Sequence, residues 1–179
     1  RAAARVLARS SEAARNAALT AMATALRDHQ AVILTANDAD VAAYQGSNAF
    51  RDRLTLNPAR VEAMAHGLEE VAALPDPVGR VRDERTRPNG LTLRKVSTPI
   101  GVVVIIYESR PNVTADAASL CFKSGNATIL RGGKEALNSN QAIARVMIEA
   151  GRKALGDCPG EGIRVGGTTG RWAIGELLA

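Results

Sequence analysis

Three short stretches of this chain combine charged, hydroxyl and glycine residues directly after apolar runs. They are Tyr107-Glu108-Ser109-Arg110-Pro111-Asn112, Arg131-Gly132-Gly133-Lys134-Glu135 and Gly166-Gly167-Thr168-Thr169-Gly170-Arg171. The chemistry on offer is anion binding. Guanidinium groups pair with phosphates, Gly132-Gly133 and Gly166-Gly167 would let backbone approach a pyrophosphate, and Thr168 or Thr169 would cap a helix whose N-terminus attracts anions. Each loop taken singly is also what a solvated, helix-capping connection looks like. Nucleophilic chemistry is poorly supplied. Cys121 lies inside DAASLCFKSGN with no histidine near it in sequence, which points to a buried, inert thiol, and Cys158 lies in a loop. His29 and His66 fall on helical segments and read as structural or solvent-facing. The cysteines form no metal-ligand pair, so no metal site is expected.

These loops need elements to hold them. Ser11 to Asp28 repeats apolar residues at helical spacing, a second helix is expected over Gln30 to Ala43, and Gly46-Ser47-Asn48 breaks the pattern. Asn57-Pro58 opens a third helix that stops at Pro75-Asp76-Pro77. Arg80 to Thr98 reads as a hairpin turning at Arg87-Pro88-Asn89-Gly90. Val102–Tyr107 is apolar on both faces, as a buried parallel strand should be. A helix over Ala115–Lys123, a strand over Ala127–Leu130, a further helix, a strand at Ile163–Val165 and a helix from Arg171 follow. The second half is therefore expected to be a parallel, doubly wound α/β sheet, with ligands beyond the carboxyl ends of its strands. The organisation expected is a helical segment over 1–77, a hairpin over 78–99 and the sheet over 100–179.

Composition narrows the class. Apolar residues make up 46% and charged residues 23%, a globular balance. The net charge of +5 invites a nucleic-acid partner, but the basic residues are interspersed with 18 acids and aromatics total 3%, too few to stack bases. Nucleic acid is not expected. No apolar run approaches the roughly 18 residues that cross a bilayer, the Ala- and Arg-rich start continues as an amphipathic helix, and so few cysteines suit a reducing compartment. A cytoplasmic protein without a membrane partner is the expectation.

No G-x-G-x-x-G or Walker pattern is present. Longer phrases are more specific: TPIGVVVIIYESRPNVTADAASLCFKSGNATILRGGKEALNSNQAI, DRLTLNPARVEAMAHGLEEVAALPDPVG, TRPNGLTLRKVSTPIGV and TTxRxxxGELL. Nearly the whole chain resembles the N-terminal part of the γ-glutamyl phosphate reductases, a family of the aldehyde dehydrogenase superfamily. The resemblance implies a modified Rossmann cofactor domain lacking the usual glycine fingerprint. It further implies NADPH-dependent reduction of γ-glutamyl phosphate to glutamate-5-semialdehyde and phosphate, in proline synthesis, with the cysteine nucleophile in a catalytic domain further along. Implied partners are the small-molecule substrate, other copies of the full-length chain in a homo-oligomer, and a glutamate 5-kinase supplying the labile acyl phosphate. Within the resemblance, Asn112 matches the superfamily's oxyanion asparagine, and Arg131 stands where a lysine contacts the adenosine ribose. A guanidinium there would also reach the 2′-phosphate of NADPH. Gly132, Gly133, Thr168 and Thr169 would complete the cofactor site. Ser109 and Arg110 would meet the substrate's phosphate or serve only loop structure. Gly170 departs from the family's usual pattern, an acidic residue after the Thr pair. Two alternatives stay open: another aldehyde or acyl-phosphate oxidoreductase of the superfamily, and a non-catalytic nucleotide-binding module.

Overall fold

The structure, a computed structural model, describes residues 2–155 and 163–165, apart from the side chain of Arg164. Five helices open it: α1 (Ala2–Arg9), α2 (Glu12–Asp28), α3 (Gln30–Ala43), α4 (Asn48–Leu54) and α5 (Pro58–Ala73). Local chemistry sets several of their starts. The Ser11 hydroxyl accepts from Ala14 N, and the Asn57 amide oxygen accepts from Arg60 N at 2.8 Å with Pro58 in the first turn. Sequence reading expected three helices here. It read the Ala- and Arg-rich start as running into an amphipathic helix and did not separate α1 from α2, which Ser11 begins anew as N-cap, and it missed α4, whose seven residues are too short to show a convincing period. Ser47, read as a breaker, is the N-cap of α4.

The hairpin forms as expected, β1 (Val81–Thr86) pairing antiparallel with β2 (Thr92–Val96), with Gly90 at φ +85° in its turn. The parallel sheet has the order β3 (Val102–Ile106), β4 (Ala127–Arg131), β5 (Ile163–Val165), with Val102 opposite Ala127 and Ile106 opposite Arg131. The two crossovers are α6 (Asn112–Lys123) and α7 (Leu137–Leu155), the latter entered through a 3₁₀ turn at Lys134–Ala136. Two expectations need correction. β3 was expected to be buried on both faces, yet Val102 is 37% and Ile106 59% exposed, because no described helix packs closely on β3, whose main described neighbour is β4. And α6 starts at Asn112, three residues earlier than expected, so Asn112 sits on a helix and not in a loop. The expected helix from Arg171 lies outside the described residues.

One apolar cluster joins both halves of the chain. Leu19, Met22 and Leu26 of α2 meet Met64 and Leu68 of α5, and the same cluster contains Phe122, Leu130, Ile143, Met147 and Ile163. Burying large aliphatic side chains in this way stabilises by roughly 1.5–3 kcal/mol each. Polar locks then fix how the layers sit. The Asp40 carboxylate accepts from the backbone N–H groups of Asn138 and Ser139, tying α3 to the N-terminal turn of α7. Lys123, 3% exposed, donates from α6 to Asn16 Oδ1 and the Ala72 carbonyl. No described helix is long and apolar enough to cross a membrane.

Candidate active-site loops and their relatives

The loops after β3 and β4 close on one another. Ser109 is buried, and its hydroxyl donates to Glu135 Oε2 at 2.6 Å; that bond holds the Glu135 carboxyl below its ordinary pKa. Tyr107 OH lies 2.6 Å from Thr114 Oγ1, which donates to Asn140 Oδ1 at 3.0 Å, so the phenol is the donor to Thr114. Burial raises the Tyr107 pKa, keeping the phenol protonated for that role. A Cβ on Gly132 would lie 2.2 Å from Asn140 Nδ2, and one on Gly133 would lie 2.0 Å from Ser109 Oγ. The glycine pair is thus required for the loops to meet, whatever else its backbone does. Arg131 ends β4 at 9% exposure, its guanidinium reaching only the Gly132 carbonyl, at 3.4 Å, among described partners.

Arg110 and Asn112 belong to a second grouping. They line an open cavity of about 450 Å³ together with Asp116 of α6 and residues of the α4–α5 segment, among them Arg53, Leu56 and Arg60. Asn112 Nδ2 donates to Asp116 Oδ2 at 3.2 Å, one helical turn along. Burial pushes the Asp116 carboxyl up, and the amide bond only partly offsets this. Of the candidate residues, then, Ser109 joins Gly132 and Gly133 in one loop cluster beside Arg131. Arg110 and Asn112 share the cavity. Thr168, Thr169 and Cys158 lie outside the described residues.

No family model matches this chain. The curated γ-glutamyl phosphate reductase of Paramagnetospirillum magneticum is 54% identical over 181 residues, an alignment covering 99% of this chain and 42% of that protein. This chain is a homologue of part of γ-glutamyl phosphate reductase. Solved structures agree. The Thermotoga maritima γ-glutamyl phosphate reductase superposes with a TM-score of 0.93 at 38% identity, over 98% of this chain and 43% of that one. The Saccharomyces cerevisiae reductase gives 0.85 at 34%, over 93% and 44%. A probable aldehyde dehydrogenase from Listeria monocytogenes gives 0.71 at 16% identity, over 98% and 36%, a likeness of fold alone. The fold is aldehyde-dehydrogenase-like, and the chain spans less than half the length of the reductases it matches.

The reductase homology makes the cysteines worth weighing. Cys121, on α6, is 8% exposed, and burial raises its pKa. A raised pKa shrinks the thiolate fraction at neutral pH, the reverse of what a nucleophile needs. No group of three or more His, Cys, Asp or Glu residues could hold a metal among the described residues. Native-state alkylation of Cys121 by iodoacetamide is expected to be at least about tenfold slower than in urea. Mass spectrometry of the labelled peptide reads this directly; equal rates would mean an exposed, reactive thiol. Sequence reading passed over Asp116 and Arg53. Asp116 carried a usable signal, the i, i+4 spacing from Asn112; Arg53 carried none, since only the fold brings α4 to α6.

Proposed function

We propose that the protein carrying this chain reduces γ-glutamyl phosphate to glutamate-5-semialdehyde and phosphate with NADPH, and that this chain forms part of its cofactor domain. The observation that carries the reading is the 54% identity across 99% of the chain to a γ-glutamyl phosphate reductase. The cysteine nucleophile is assigned outside residues 1–179, in keeping with the burial of Cys121. Asn112 would donate to the oxygen that gains charge when the acyl carbon is attacked. Its amide has two N–H bonds, and Asp116 takes one of them.

The cofactor, when bound, supplies the hydride. For its 2′-phosphate the residues present fit at Arg131, a fixed cation at a strand's carboxyl end whose described bond is a single long one to a neutral carbonyl. Gly132 and Gly133 would bring backbone near the pyrophosphate, with Thr168 and Thr169 beyond the next strand. Of the two residues suggested for the substrate's phosphate, the Ser109 hydroxyl is committed to Glu135, whereas Arg110 opens on the cavity.

The reaction is tested by following NADPH absorbance with full-length protein and acyl phosphate generated in situ; no oxidation above background would discard the reading. The cofactor assignment has its own measurement. Arg131→Ala is expected to weaken NADPH binding by about 1.5–3 kcal/mol, the range for a hydrogen bond to a charged group, and NADH binding far less. Fluorescence titration with both cofactors decides it. Equal losses would remove the 2′-phosphate role.

A further inference from the structure

We propose that the cavity between α4, α5 and α6 receives the α-amino-acid head group of the substrate, Arg53 and Arg110 pairing with its carboxylate and Asp116 with its ammonium. This rests on the reading that the substrate is a γ-glutamyl compound and adds where that compound is recognised. Three observations support it. First, the cavity's charged side chains differ in how they are occupied. Arg60 is held by Asp52, through an ion pair at 3.0 Å and a bond to the Asp52 carbonyl, and by the Thr55 carbonyl. Arg53 and Arg110 line the same space, and their guanidinium groups have no such partner among the described residues. Second, Asp116 is a solvent-reached carboxylate on the cavity wall whose described partner is a neutral amide, so its negative charge is left without a cation among the described residues and a bound ammonium would supply one. Third, both signs sit in one opening of about 450 Å³ that also contains Asn112. A small amino acid needs such a space, with its far end beside the oxyanion donor. Planar guanidinium groups suit a carboxylate, and a single carboxylate suits an ammonium. An amino acid lacking either charge would leave one set of these side chains without its ionic partner, which is how a polar site rejects close analogues.

The test uses full-length protein run in the aldehyde-oxidising direction. Glutamate-5-semialdehyde is compared with 4-aminobutanal, which lacks the carboxylate, and 5-oxopentanoate, which lacks the ammonium. Arg53→Gln and Arg110→Gln are expected to raise KM for the semialdehyde about 10- to 100-fold while leaving KM for 4-aminobutanal unchanged. Asp116→Asn should raise KM for the semialdehyde and spare 5-oxopentanoate. Equal changes on all three aldehydes, or none, would overturn the proposal. So would a rise in KM for inorganic phosphate in Arg110→Gln with the aldehyde unaffected, which would make that guanidinium a phosphate ligand. Calorimetric titration with L-glutamate, which needs no turnover, separates the two readings. Glutamate binding lost in the arginine variants, in a wild type that does not oxidise the semialdehyde, would discard the reaction and keep the head-group site. Turnover without any loss of glutamate binding in the variants would discard the site and keep the reaction.

Discussion

Asp76→Ala is expected to destabilise the fold by about 3 kcal/mol, the largest loss anticipated for a single side chain outside the apolar core. Arg15, in the first turn of α2, is 1% exposed, and its Nη2 pairs with Asp76 Oδ2 at 2.6 Å. Nη1 donates to the Ser10 carbonyl, while Nε is a buried nitrogen without a partner. The guanidinium is therefore already under-satisfied. Removing its counter-ion would strand a charge inside the protein, and the cost of a stranded charge exceeds the modest net gain from the pair itself. The figure is the lower end of the range for breaking a buried pair, because Asp76 retains 21% exposure and water can reach the vacated side. Asp76 Oδ1 also accepts from Val78 N, so the turn before the hairpin loosens as well. Urea denaturation measures the change. The double variant Arg15→Met, Asp76→Ala should be more stable than Asp76→Ala alone, since it removes the charge together with its partner. A loss below about 1 kcal/mol in the single variant would show that Arg15 finds another route to solvent.

That pair marks a boundary in what could be read from residues alone. Pro75-Asp76-Pro77 is recognisable as a helix stop from local chemistry, and α5 does end at Ala73. Nothing local says that Asp76 answers an arginine 61 residues earlier. The same division runs through the rest of the chain. α2, α5, the hairpin and the strand β4 follow from periodicity, caps and a turn, which act over a few residues. The short helices α1 and α4 and the exposed face of β3 depend on what packs where. Asn112 was placed in the right neighbourhood but on the wrong kind of element, because Pro111 takes helical dihedrals (φ −57°, ψ −34°) and lets α6 begin at once. The glycine pair was legible as a place of close approach; that the approach is to Ser109 and Asn140 was not.

On the proposed reaction and the proposed oxyanion role, Asn112→Ala in the full-length protein is expected to lower kcat by about 100- to 1,000-fold, roughly 2.7–4 kcal/mol of transition-state stabilisation, with little change in KM. The amide is pre-aimed. Its Nδ2 donates to Asp116 Oδ2 at 3.2 Å, which orients the side chain across the first turn of α6 and leaves its second N–H without a partner among the described residues. A donor held in place before charge develops costs no reorganisation at the moment of reaction. The substrate's ground-state carbonyl asks less of it than the anionic transition state does, so the loss belongs to kcat and not to KM. Instability is a poor competing explanation, because Asn112 is exposed and substitutions at such positions usually move stability by no more than about 0.5 kcal/mol. A thermal melt run beside the kinetics would establish that. The contrast with the cavity arginines sharpens the result. Arg53 and Arg110, if they hold the head group, should act through KM for substrates that carry a carboxylate. Asn112, if it meets the reacting oxygen, should act through kcat on every aldehyde alike. An Asn112→Ala variant with unchanged kcat, or one whose defect depends on the substrate's carboxylate, would remove Asn112 from the reacting centre and make it a residue of the head-group cavity.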